Sequence, residues 1–165
     1  MAKCIIWTVI FSIIAAILQS TVFQWIAIFG YVPDIALCIL VFSAYVNGNM
    51  AGQVSGFFSG LFYDFISAAP LGMNCLIRTI IGALTGIFKG SFFLDNIFLP
   101  IILCSIATIL KAIIIFLLYL IIGSAIPVYS LTDSKIWIEL GLNAFSSPLL
   151  FLLLKNFRPI QKDRR

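Results

Sequence analysis

Six apolar runs fill almost the whole chain, at residues 4–23, 33–46, 50–66, 73–88, 97–122 and 136–154. The breaks between them are too short to hold a folded soluble unit. A hydrocarbon core about 30 Å thick takes about 20 helical residues, fewer where polar ends reach for the interface. The pattern therefore predicts an all-α polytopic membrane protein of about six transmembrane helices over residues 1–154, with a basic tail at 155–165. Charge content agrees. Of the 165 residues 62% are apolar and 10% charged, where a soluble domain keeps roughly a quarter of its residues charged.

The first run is long for the hydrophobic region of a signal peptide, and no clear small-x-small cleavage site follows it, so it is read as a span. Residues 25–31 are apolar and aromatic, suited to an interface. Pro33 then opens the second helix with Asp34 in its first turn, where the helix dipole favours an anion. Asn47, Gly48 and Asn49 make a tight turn, and residues 67–72 break the third run from the fourth.

Positive charge sets the orientation. With the N-terminus inside, Lys3, Lys89, Lys155, Arg158, Lys162, Arg164 and Arg165 fall on cytoplasmic ends, and Lys135 alone on an outer loop. This is a positive-inside distribution, with both termini cytoplasmic in a cytoplasmic (inner) membrane. The same clustering at membrane ends argues against nucleic acid as the reason for the net charge of +4.

The most informative local pattern is Gly48, Gly52, Gly56 and Gly60, each four residues after the last, with Asp64 continuing the series. The fourth run repeats it as Arg78, Gly82, Gly86 and Gly90. Residues four apart share a helix face, and small residues there let backbones approach closely in lipid. The two glycine faces are expected to pack on each other or on a shared third helix. Asp64 and Arg78 then lie at similar depth, so an ion pair between them is expected; the alternative is that each reaches outer water separately. Lys111 lies deep in the fifth run, and Glu139, Asn143, Ser146 and Ser147 give the sixth a polar face near Pro148. Lys111 with Glu139 is a plausible neighbouring-helix pair, structural before functional.

Catalytic signatures are missing. No GxxxxGK[ST] loop and no GxSxG elbow occurs, and the chain has no histidine for a triad or a metal. Cys4, Cys38, Cys75 and Cys104 are scattered without CxxC spacing and read as small hydrophobes. No enzyme, cofactor or metal site is expected.

Three blocks together resemble the bacterial rod shape-determining MreD family. Pro33 and Asp34 open an aliphatic helix. Residues 56–74 fit the family's GxxxGxxxDxxSxxPLGxN pattern through Gly56, Gly60, Asp64, Ser67, Pro70, Leu71, Gly72 and Asn74. Asn143 is followed by Pro148, an aliphatic run and the basic exit Lys155, Asn156, Phe157, Arg158. The resemblance covers essentially the whole chain. It implies a non-enzymatic component of the cell-elongation (Rod) machinery, supporting cell shape and peptidoglycan synthesis. The implied partners are an MreC-like membrane protein, a RodA-type glycosyltransferase, a penicillin-binding transpeptidase and, indirectly, MreB. Arg78 departs from the apolar residues expected after PLGxN, and Lys111 has no counterpart in the pattern.

With almost no soluble mass, such a protein meets its partners through helix faces, outer loops or tail. The basic tail is expected to meet anionic lipid, with an acidic partner as the alternative, and residues 25–31 and 129–135 to receive a partner's membrane-proximal region. A second reading is a substrate-binding S component of an energy-coupling-factor vitamin transporter, whose helical-bundle architecture MreD-like proteins resemble. A vitamin-sized ligand would then sit between helices, with the glycine ladders against the coupling subunit.

Overall fold

The structure, a computed structural model, describes residues 2–21, 25, 31–67, 70–90, 97–123, 134–157 and 160. Among them the chain forms six α-helices: α1 (Ala2–Thr21), α2 (Ile35–Asn47), α3 (Asn49–Ile66), α4 (Met73–Ile87), α5 (Phe98–Ile122) and α6 (Ser134–Lys155). Among the described residues three stretches are long and apolar enough to cross a membrane, Ala2–Thr21, Phe98–Ile122 and Ile136–Lys155. Helices α2 and α4, with 13 and 15 residues, are only about 20 and 22 Å long. Most of residues 22–30, together with 91–96 and 124–133, lie outside the described residues, and with them most of both expected partner loops.

The bundle is built around α2. Every residue from Ala36 to Tyr45 is at least 95% buried, and α2 touches each of the other five helices. Such a helix needs no exposed polar face, which is why its sequence reads as almost wholly apolar, broken only by Ser43 and Asn47. The other helices turn large apolar residues outward: Ile6, Ile10, Ile14 and Ile17 on α1, and Ile102, Ile106, Ile109 and Ile113 on α5. Their hidden faces carry hydroxyls and amides, among them Thr8, Ser12, Gln19, Ser55, Ser59 and Thr108. Large apolar residues outside, with polar groups kept within the bundle beside its apolar core, suit lipid.

Helices α3 and α4 form the closest pair, antiparallel and joined by the turn at 67–72. A Cβ on Gly52 would fall on the carbonyl oxygen of Gly82, and one on Gly82 on that of Gly52. Gly56 meets the carbonyl of Arg78, Gly60 the backbone of Asn74 and Cys75, and Gly86 the backbone of Asn49. The ladders thus face one another rather than a third helix. Two expected members behave otherwise. Gly48 stands between α2 and α3 at φ 98°, against the Lys89 side chain, and its N–H donates to the Ala44 carbonyl at 2.8 Å. Gly90 lies beyond the end of α4 at φ 72°, where a Cβ would meet none of the described residues within 4 Å, so it turns the chain rather than extending the ladder.

In α6, Pro148 has no N–H to give the Ala144 carbonyl, and the Ser147 hydroxyl donates there at 3.0 Å instead. The tail does not simply leave the bundle. Phe157 meets Trp7 and Phe11 edge-on, and Ile160 is fully buried within the core cluster.

Candidate functional site

Two polar constructions stand out, and the carboxylates Asp64 and Asp34 organise one each. The first is the turn between α3 and α4. Gly72 takes the left-handed conformation at φ 91°, which only glycine adopts without strain, and swings the start of α4 back toward Asp64. The Asp64 carboxylate then accepts four hydrogen bonds: from the N–H groups of Gly72 (3.0 Å), Asn74 (2.9 Å) and Cys75 (3.1 Å), and from Asn74 Nδ2 (2.9 Å). Asn74 Nδ2 also reaches the Ser67 hydroxyl at 3.3 Å, and the Pro70 carbonyl accepts from Met73 N–H at 3.1 Å. An anion on the free N–H groups at the start of a helix satisfies donors that lipid cannot. The spacing of Asp64, Ser67, Pro70, Gly72 and Asn74 is thereby explained, while Leu71 is exposed.

Because Asp64 is occupied in this way, the pair expected between Asp64 and Arg78 does not form. Arg78 reaches α2 instead, its Nη2 3.3 Å from Asp34 Oδ1. Backbone N–H groups beside Asp64 are fixed by the turn and need no side-chain ordering, so they take the carboxylate ahead of a guanidinium one turn further on.

The second construction gathers at the head of α2. Asp34 caps that helix, its Oδ1 accepting the Leu37 N–H at 3.0 Å. Its Oδ2 accepts from Lys111 Nζ at 2.8 Å, and the same Nζ lies 2.6 Å from Glu139 Oε1. The Asp34 N–H donates to Asn143 Oδ1 at 2.7 Å, and Asn143 Nδ2 donates to the Thr108 hydroxyl at 2.9 Å. The Arg78 guanidinium also stacks over Tyr63, 4.4 Å from the ring centre, while its buried Nη1 makes no hydrogen bond. Two carboxylates and two cations, one each from α2, α4, α5 and α6, make a cluster without net charge.

Depth gives that neutrality its importance. Lys111 lies 11 residues before the end of α5 (122 − 111), about 16 Å along its axis. Asp34, Arg78, Glu139 and Asn143 are all at least 93% buried. Lone charges at such depth are costly, whereas a paired and capped set is not. The arrangement holds four helices in register and contains no nucleophile–base pair.

Sequence reasoning missed three participants. Thr108 and Tyr63 carry no pattern that separates them from ordinary helix residues. Asn47 does carry one: with Ser43 it places two polar groups one turn apart in an apolar run. Its Nδ2 donates to the Ser43 carbonyl (3.0 Å) and to the Ile160 carbonyl (2.8 Å), and the Ser43 hydroxyl bonds to that of Thr8 at 2.7 Å.

An apolar exterior, polar groups held inside and a self-neutralised charge cluster define a helical membrane protein. The family model of the rod shape-determining protein MreD matches residues 1–157, and the chain belongs to that family. No curated protein and no solved structure matches it. Membership gives the chain a role in rod shape determination and places it in a family of shape-determining scaffolds.

Proposed function

We propose that this protein is a non-enzymatic, six-span scaffold of the cell-elongation machinery, with both termini in the cytoplasm. It contacts an MreC-like membrane protein and, through it or directly, a RodA-type glycosyltransferase and a penicillin-binding transpeptidase, with MreB as an indirect partner. The match over residues 1–157 carries the reading. The fold supports it physically. The tight α3–α4 pair and the neutral cluster at α2 give a rigid body, and the helices leave broad apolar outer faces on which other membrane helices can pack. Helices α2, α3 and α4 complete the six crossings in this reading, α2 being enclosed by the other five helices.

The experiment is to tag the protein at its native locus, solubilise membranes in mild detergent and identify what co-purifies. Recovery of an MreC-like protein with the wall synthase is expected. A second reading, a transporter S component, draws on the buried Arg78 Nη1, which has unused donors that a ligand acceptor would satisfy. Recovery of paired ATPases with a coupling subunit would replace the first reading with this one.

A further inference from the structure

The two ends of α2 are held in different ways. At its head, ion pairs join four helices, and parting them would strand charge inside the membrane. At its foot the contacts to α1 and to the C-terminal segment are neutral. The Thr8 and Ser43 hydroxyls bond to one another at 2.7 Å, and Asn47 Nδ2 donates to the Ile160 carbonyl at 2.8 Å. Each of these three side chains also has a partner within its own helix. Thr8 donates to the Cys4 carbonyl at 2.7 Å, and Asn47 Nδ2 donates to the Ser43 carbonyl at 3.0 Å and to its hydroxyl at 3.2 Å. Separation at this seam therefore leaves every one of them a hydrogen bond, which removes the main penalty for opening a buried polar contact. The Asn47 carbonyl accepts from Lys89 Nζ at 3.0 Å, so α4 keeps its hold on α2 meanwhile.

The apolar part of the seam is equally local. Among the described residues α1 packs mainly on α2 and α3, and Phe157, just past α6, joins it to the last helix. The Phe157 ring meets Trp7 and Phe11 at ring-centre distances of 5.7 and 5.1 Å, yet Phe157 and Trp7 are each 37% exposed and stand at the rim. Ile160 is fully buried in the core cluster. Lipid is as apolar as these side chains, so close packing is what keeps them in place.

We propose that Phe157 and Ile160 form a releasable clasp. In place, it holds the first turns of α1 against α2. Released, it lets that end of α1 part from the bundle and uncovers Cys4, Thr8 and Ser43, while the ionic junction keeps the other end together. This inference goes beyond the scaffold reading and does not rest on it, because the test uses the chain alone.

Cys4 is a built-in reporter: it is buried, and it lies one turn before Thr8 on the same face of α1. Cys38 and Cys104, both buried in the core cluster, serve as references. The purified full chain in neutral detergent is treated with N-ethylmaleimide, and modification at each cysteine is followed by mass spectrometry. Cys4 is expected to react well before the references, at a rate that small additions of denaturing detergent leave unchanged, as local opening requires. Ile160→Ser should raise the Cys4 rate about tenfold and leave Cys38 and Cys104 as they were. Phe157→Leu, which keeps an apolar side chain, should raise it about threefold. Cys4 reacting in step with Cys104, all three cysteines accelerating together in the variants, or a Cys4 rate that neither variant changes would each overturn the proposal.

Discussion

Lys111 Nζ stands 2.8 Å from Asp34 Oδ2, across 77 residues of sequence. The contact ties the middle of α5 to the head of the buried α2, and Glu139 and Arg78 extend it to α6 and α4. Four helices therefore share one ionic junction, and removing one member leaves the others without compensation.

Asp34→Asn is expected to destabilise the protein by about 3–5 kcal/mol, because Arg78 and Lys111 lose their common partner in a buried site. Replacing Arg78 as well should restore part of the loss. Double-mutant cycles followed by unfolding in denaturing detergent would show coupling for Asp34 with Arg78, and none for Asp64 with Arg78.

Asp64→Asn should cost about 2–4 kcal/mol, since its amide group presents donors to backbone N–H groups that need acceptors. Asn74→Ala removes one of the four bonds to Asp64, and one to Ser67, and is expected to cost about 1 kcal/mol. The order of the two melting temperatures checks the assignment of Asp64 as the cap of α4.

The glycines separate into classes that a stability measurement can distinguish. Gly52→Ala and Gly82→Ala each drive a methyl group into a backbone carbonyl and should destabilise by about 1–3 kcal/mol. Gly90→Ala meets no neighbour but keeps a positive φ, costing about 1–2 kcal/mol. Gly141→Ala, in α6 with open space around it, should be neutral or stabilise by up to about 1 kcal/mol.

Asn143→Leu leaves the Asp34 N–H and the Thr108 hydroxyl without their amide partner. The expected loss is about 1–3 kcal/mol. Hydrogen exchange at the start of α2 should rise in this variant and stay unchanged in α4.

These relationships were legible in the sequence to different depths. Glycine spacing marked the α3–α4 contact because a four-residue period survives folding unchanged. The same period misled at both ends, carrying the ladder through Gly90 and lining Asp64 up with Arg78. What broke it was local turn geometry: Gly72 in the left-handed conformation aims the first N–H groups of α4 at Asp64, and periodicity holds no information about that. The pair of Lys111 with Glu139, 28 residues apart on neighbouring helices, was legible, whereas the partners of Asp34, 44 and 77 residues away, were not. Ile160 was hidden for another reason, since one aliphatic residue among basic ones reads as part of a solvated tail.

The most direct test of the scaffold reading is depletion of the protein from growing cells while cell outline and the site of new wall insertion are followed. The account predicts loss of the elongated outline and of insertion along the side wall, reversed by the wild-type chain. Cells that keep their shape and wall pattern after depletion, and instead lose uptake of a vitamin-sized solute, would contradict it.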